Sequence, residues 1–199
     1  ALRVPPLSVL DGTYPGCGGG SDGGAPTASL SGTAAIGAPV ANGTVTVRCA
    51  GGAAVTTTTT AGGQWVAALS GQTFPCLVSV SGGNLPAGRT LFSMALDTSD
   101  LNVTPLTTLV LASAFGDDPA NLQALPSVEA ARDALEQGVA RITEFLETSG
   151  FGAVPGNPLT DTFEPVAGDP YDDLLEQIAR SLEDAGITLP ADGMPLAWG

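Results

Sequence analysis

Between residues 27 and 98 the chain alternates apolar and polar positions in short runs that glycine-rich turns separate. Residues 44–49 alternate strictly, which places Val45, Val47 and Cys49 on one face. Alternation with a period of two is typical of a strand with one buried face. The segment is therefore predicted to form a small antiparallel β-sandwich, with these side chains in its core.

Further strands are predicted after the first glycine break. Residues 55–60 and 65–69 flank a glycine-containing turn, a pattern that favours a β-hairpin with Trp65 on its core face. Residues 76–80 repeat the alternation and predict another strand, and residues 91–96 are expected to form the last one. Trp65 is interpreted as a core residue in preference to a sugar-stacking platform, because the residues that share its face are apolar.

After Asn102 the apolar period changes to that of a helix. Thr104 followed by Pro105 predicts an N-cap and a first helical residue, and Gly116 predicts the end of that helix. The helix is apolar almost all round, so we expect it to be buried at the centre of a small helical bundle. Leu109 and Val110 are expected to be among its core side chains.

Two longer amphipathic helices follow. Ser127 is predicted to cap the second helix, which runs to Gly150, and Asp169 is predicted to cap the third, which ends at Gly186. The predicted fold class is therefore α+β, with an N-terminal β-sandwich followed by a helical bundle.

The first ten residues are apolar but contain Pro5 and Pro6, which fix an extended backbone and remove two donors. A glycine-rich stretch, residues 16–24, follows as a flexible tether. The predicted domains are an extended apolar arm with its tether (1–26), the β-sandwich (27–98) and an acidic helical region (99–199).

Charge supports a boundary near residues 97–102. Residues 1–98 are neutral in sum, whereas the rest of the chain carries the whole net charge of −14. Such an acidic chain disfavours a nucleic-acid or anionic-membrane partner. No apolar run approaches the length that spans a bilayer, so no transmembrane segment is predicted. The sequence begins at Ala1 without a methionine, and we expect that any signal peptide has been removed.

The chain contains neither histidine nor lysine. It therefore has no Ser-His-Asp or Cys-His arrangement, no histidine-based metal site, no Walker P-loop and no Schiff-base nucleophile. We accordingly predict no catalytic residue, no bound metal and no cofactor, and interpret the chain as something other than an enzyme.

Carboxylate pairs are the remaining candidates for chemistry. Residues 117–118 and 172–173 could supply a glycosidase pair or a hard-cation site such as calcium. However, Asp118 and Asp169 each precede a proline where a helix N-cap belongs. Capping is the preferred interpretation, with calcium as the open alternative. The threonine run 56–60 is interpreted as an exposed strand, and Trp198 as a candidate contact residue.

Residues 29–80 resemble the carboxypeptidase regulatory-like, or transthyretin-like, β-sandwich of exported bacterial proteins. The resemblance rests on the segments 31–33, 37–40, 43–47, 61–65 and 76–80. The segments 102–109, 157–160 and 171–175 resemble proteobacterial surface lipoproteins that pair such a domain with helices. Residues 17–22 resemble the start of a mature lipoprotein. The resemblance implies export and a location outside the cell or at its surface.

Within a domain of this exported type, the inward-facing Cys49 and Cys76 are predicted to form a disulfide. Cys17 is then the odd cysteine, and it remains a free thiol, a lipidation site or an intermolecular thiol.

These patterns favour a non-catalytic extracellular structural protein, a self-assembling surface or filament subunit whose partners are copies of itself. In this hypothesis residues 7–10 of the arm pair with the sheet of a neighbouring copy. The alternative is a monomeric surface module that binds a glycan or a protein, and a hydrolase that uses carboxylates alone is a minor alternative. The apolar residues assigned to the assembly arm are Leu2, Val4, Leu7, Val9 and Leu10.

Overall fold

The computed structural model describes residues 28–184 and has a mixed α+β fold, as the sequence predicts. The predicted arm and tether, Cys17 and Trp198 lie outside the described residues. The described strands are β1 Ser29–Ala34, β2 Thr44–Gly51, β3 Val55–Thr58, β4 Gln64–Ala68, β5 Thr73–Ser81, β6 Thr90–Ala95 and β7 Leu101–Val103. The helices are α1 Pro105–Phe115, α2 Val128–Thr148 and α3 Pro170–Asp184.

One sheet has three strands in the order β4-β1-β7. β1 pairs with β4 in the antiparallel direction and with β7 in the parallel direction, which corrects the prediction of a purely antiparallel arrangement. Gly32 lies opposite Leu101, and a Cβ atom at Gly32 would fall 1.8 Å from the Leu101 carbonyl oxygen. Only glycine therefore permits this strand contact. β7 follows residue 98, so this sheet draws strands from both sides of the predicted boundary.

The other sheet has four antiparallel strands in the order β3-β2-β5-β6. β3 and β4 lie in different sheets, so the hairpin predicted between them is wrong. The buried Thr59 explains the crossing: its hydroxyl accepts from the Gly43 amide at 2.8 Å and donates to the Val40 carbonyl at 2.6 Å. These bonds hold the end of β3 on the second sheet while the chain turns to the first.

The inward side chains of both sheets form one apolar cluster. Trp65 is 1% exposed at its centre, which confirms the core interpretation of this residue. Val45, Val47 and Val78 are also fully buried. The alternation in the sequence therefore identifies the buried face of these strands correctly.

The predicted beginnings of the helices are confirmed. Thr104 caps α1 through the Thr107 amide, and Ser127 caps α2 through the Ala130 amide. Asp169 accepts from the amides of Tyr171 and Asp172 in the first turn of α3. Each of these caps satisfies backbone donors that the first turn of a helix leaves unpaired.

Helix α1 lies between the four-stranded sheet and α2. Val110 and Leu111 are fully buried in a cluster that includes Met94 of β6 and Leu135 of α2. Leu109, which we expect to be a core residue, is only half-buried. A second apolar cluster joins the N-terminal part of α1 to α3 and includes Leu106, Tyr171, Leu174, Leu175 and Ile178. Between residues 28 and 184 no helix has the length and hydropathy needed to cross a bilayer.

Candidate functional site

The predicted disulfide is confirmed. Cys49 of β2 and Cys76 of β5 lie directly opposite each other, with 2.03 Å between their sulfur atoms. Both side chains belong to the core of the sheets. The bond therefore joins two central strands of the four-stranded sheet and leaves neither sulfur available for another partner.

Of the four outer strand edges described in residues 28–184, two are covered by other parts of the chain. On β6, the Phe92 amide donates to the Thr108 hydroxyl at 2.9 Å, and the Thr107 hydroxyl donates to the Phe92 carbonyl at 2.8 Å. On β7, the backbone amide of Asn102 donates to the Leu159 carbonyl at 2.8 Å. The threonines of α1 thus satisfy the backbone of an edge strand, in addition to capping their own helix.

The edges of β3 and β4 differ from these. Within residues 28–184, β3 pairs only with β2, and β4 pairs only with β1. An edge strand without a neighbour is a template for one more strand. These two open edges are therefore the first candidate interaction site.

Two hydrogen bonds show which backbone groups of β4 point away from β1. The Leu69 amide donates to the Ala28 carbonyl at 2.7 Å, and the Ala34 amide donates to the Gly63 carbonyl at 2.9 Å. Hydrogen-bonded positions alternate along an antiparallel pair. The odd-numbered residues of β4 therefore bond to β1, and the even-numbered residues point their backbone groups away from it.

The even-numbered residues of β4 are Gln64, Val66 and Ala68. The Gln64 carbonyl accepts from the Thr60 amide at 2.8 Å. Val66 and Ala68 each have a backbone amide and a backbone carbonyl that point toward the open edge. The Val66 side chain is 60% exposed. β4 thus combines an exposed apolar side chain with two residues that can extend the sheet.

The second candidate site is a groove of about 430 Å³ between the end of β6, the start of β7, α2 and the 157–160 loop. Its floor is apolar and includes the buried residues Met94, Leu101, Leu135 and Leu159. The size lies within the range that small-molecule sites occupy.

Charged side chains surround the groove opening. Asp97 lies in the loop after β6, and Arg132 and Glu136 lie one turn apart on α2. The Ser99 hydroxyl and amide lower the pKa of Asp97 by hydrogen bonding, and the positive charge of Arg132 lowers it further. Asp97 is therefore ionised at neutral pH, and the opening presents both signs of charge.

One wall of the groove is held by two buried polar side chains. The side-chain amide of Asn102 donates to the backbone carbonyls of Pro158 at 3.2 Å and Asp161 at 2.7 Å. The Tyr171 hydroxyl donates to the same Pro158 carbonyl at 3.1 Å. Burial raises the pKa of Tyr171, so this hydroxyl keeps its proton. The sequence segments around residues 102, 157 and 171 thus meet at one place in the fold.

Asp118 and Asp169, the two aspartates that precede a proline, serve as helix caps. Asp118 accepts from the Ala120 amide at 2.8 Å and caps a short 3-10 turn, Pro119–Asn121. Burial acts to raise the pKa of Asp169, but the amides of Glu164, Tyr171 and Asp172 outweigh it and lower that pKa. No cluster of three metal-ligating side chains is found between residues 28 and 184.

Asp172 is the exception among these acids. It is 1% exposed, and neither carboxyl oxygen has a hydrogen-bond partner. Burial raises its pKa, and the negative charges of Glu176, Asp169 and Asp173 raise it further. A carboxyl in this position is costly to ionise.

We expect Asp172→Asn to stabilise the protein at pH 7. The folded pKa lies above the ordinary value of 3.8, so the folded state holds the proton more tightly than the unfolded state. Stability is lost as the pH rises through the folded pKa, and a neutral asparagine avoids that loss. The gain in the urea midpoint should shrink as the pH falls toward 3.8. Asp173→Asn is the control, since Asp173 accepts from the Gly168 amide, and a gain there of equal size would contradict the account.

Several residues at these sites were not predicted from the sequence. Arg132 and Glu136 lie on the polar face of an amphipathic helix and resemble ordinary solvated charges. Thr107 and Thr108 could have been noticed, because they are adjacent polar residues in a largely apolar helix. Val66 could also have been noticed, because it alternates with Trp65 and Ala67 and so lies on the outer face, but the edge position of its strand could not.

No family model, curated protein or solved structure matches this chain.

Proposed function

We propose that the chain is a non-catalytic extracellular structural protein, a surface or filament subunit that joins copies of itself through the N-terminal arm, residues 1–10. In this proposal the two sheets are a transthyretin-like β-sandwich and the helices after Asn102 are a small bundle packed against it. The likeness to exported lipoproteins supports the location, and the disulfide is compatible with it.

The observation that carries the proposal is the contrast between the two sides of the sheets. The edges of β6 and β7 are hydrogen-bonded to α1 and to the 157–160 loop, whereas β3 and β4 each pair with a single strand within residues 28–184. Monomeric proteins commonly protect such edges. An apolar segment that a glycine-rich tether joins to β1 is suited to fill one of them in a neighbouring copy.

The non-catalytic part of the proposal rests on residue types. The full chain has no histidine and no lysine, and the carboxylates of Asp118 and Asp169 accept hydrogen bonds from backbone amides. A repeated head-to-tail contact that does not close on itself produces a filament, and this requires no chemistry beyond binding.

Deleting residues 1–10 tests the proposal. We expect large assemblies, seen by negative-stain microscopy of the full chain, to disappear, while the circular dichroism spectrum stays unchanged because the strands and helices described above are all retained. Removing residues 194–199 instead is the matched control and should leave the assemblies intact. Polymers that persist without residues 1–10 would reject the arm and direct attention to the tail that contains Trp198.

The groove supports a second candidate function, a monomeric surface binding module. Its apolar floor and the mixed charges of Asp97, Arg132 and Glu136 suit a small or peptide-like ligand. Chains that remain monomeric by microscopy would favour this function over assembly.

A further inference from the structure

We infer that β4 is the acceptor strand of the assembly, and that residues 7–10 of a second copy add to its open edge beside Val66 and Ala68. This inference rests on the proposed function and names the surface that the arm binds. The edge of β4 offers a defined set of hydrogen-bonding groups, and the arm offers a segment of matching length.

The free groups on β4 limit the length of the added strand. Val66 and Ala68 together offer two amides and two carbonyls, and the Gln64 carbonyl is already bonded to the Thr60 amide. A partner strand therefore needs only two residues that point their backbone groups toward β4, which means about four residues in total. Residues 7–10 meet this number.

The prolines of the arm agree with the same limit. Pro5 and Pro6 have no amide hydrogen, so a ladder of hydrogen bonds can begin only after them. They also fix an extended backbone, which lets residues 4–6 cross between two copies before the pairing begins.

Alternation gives the added strand an apolar and a mixed face. If Leu7 and Val9 point toward the core, they extend the row of inward side chains to which Trp65 and Ala67 of β4 belong. Leu10 then lies on the outer face, where Val66 is 60% exposed. Pairing of these apolar side chains on both faces stabilises the added strand.

β3 is the weaker acceptor of the two open edges. Its Thr59 amide donates to the Gly43 carbonyl at 2.9 Å, so the same alternation directs the backbone groups of Thr56 and Thr58 outward. Both of these threonines are exposed and polar. They offer hydrogen bonds without the apolar contact that Val66 provides on β4.

Proline substitution at an outward-facing amide tests the inference. The Ala68 amide makes no bond to β1, so Ala68→Pro removes a donor needed by the added strand while keeping the β1–β4 ladder. We expect the concentration at half-assembly, measured by sedimentation velocity, to rise about tenfold or more. Thr58→Pro places the same change at the corresponding position of β3 and should have little effect.

Val66→Lys provides a second variant at the same edge, because an exposed lysine on an edge strand opposes strand addition without changing the backbone. It should impair assembly as Ala68→Pro does. If both variants assemble like the parent chain while deletion of residues 1–10 abolishes assembly, β4 is not the acceptor but the proposed function stands. If the deletion has no effect, the proposed function itself fails.

Mixing two defective chains tests whether the contact joins separate copies. A chain lacking residues 1–10 keeps its acceptor edge, and the Ala68→Pro chain keeps its arm. We expect the mixture to form one-to-one complexes at a concentration at which neither chain assembles alone. A mixture that remains monomeric would show that the arm does not bind a second copy at β4, and would overturn the inference.

Discussion

Replacing Leu111 with alanine is expected to lower the free energy of unfolding by about 2–5 kcal/mol. Leu111 is fully buried between the four-stranded sheet and α2, where it belongs to one cluster with Phe92 and Leu135. Truncation removes buried apolar surface and leaves a cavity that neither the sheet nor α2 can fill completely. Urea denaturation followed by circular dichroism measures the loss.

Leu109→Ala is the matched control, because it makes the same chemical change on the same helix. Leu109 is half-buried, so less apolar surface returns to water and the loss should be about half as large or smaller. Equal losses at the two positions would mean that α1 does not pack with the face that contains Leu111.

Removing the disulfide is expected to have an effect of similar size. The double variant Cys49→Ala, Cys76→Ala should lose roughly 3 to 4 kcal/mol, because the bridge closes a loop across a sequence separation of 27 and restricts the unfolded chain. Urea denaturation in the absence of reductant measures this loss, and reduction of the parent chain should reproduce it.

Cys17→Ala is the control for the disulfide. Cys49 and Cys76 are bonded to each other, so removal of Cys17 should leave the urea midpoint unchanged. A double variant as stable as the parent chain would contradict a structural role for the bond. Faster migration of the non-reduced parent chain in gel electrophoresis, lost in the double variant, would report the same bond directly.

The parts of the fold that depend on local interactions could be predicted from the sequence. Thr104, Ser127 and Asp169 act as caps because a short polar side chain bonds to amides two or three residues further on, and this spacing is visible in the sequence. Cys49 and Cys76 could be paired for a related reason, since each occupies an inward position of an alternating strand.

Strand partners depend on interactions that are distant in the sequence, and there prediction failed. The segment from Thr59 to Gln64 resembles a hairpin turn, but the Thr59 hydroxyl bonds to Val40 and Gly43, about twenty residues earlier. The parallel pairing of β1 with β7 likewise joins residues about seventy positions apart. Loop length and turn chemistry do not encode either contact.

The two candidate sites could not be predicted from the sequence for the same reason. The groove forms only because α2 lies beside the end of β6 and the 157–160 loop. This packing places Arg132 and Glu136, which the sequence alone presents as solvated charges, at the rim of the groove. The open edge of β4 is defined by the absence of a second hydrogen-bonded strand within residues 28–184, and no local sequence pattern predicts this.

Sedimentation velocity of the purified full chain, over about a hundredfold range of concentration, tests the central claim most directly, because strand addition between copies follows mass action. The account predicts that the sedimentation coefficient rises with concentration and passes beyond that of a dimer, since each copy has one arm and one acceptor edge. A single boundary corresponding to the 19.7 kDa monomer at every concentration would contradict it.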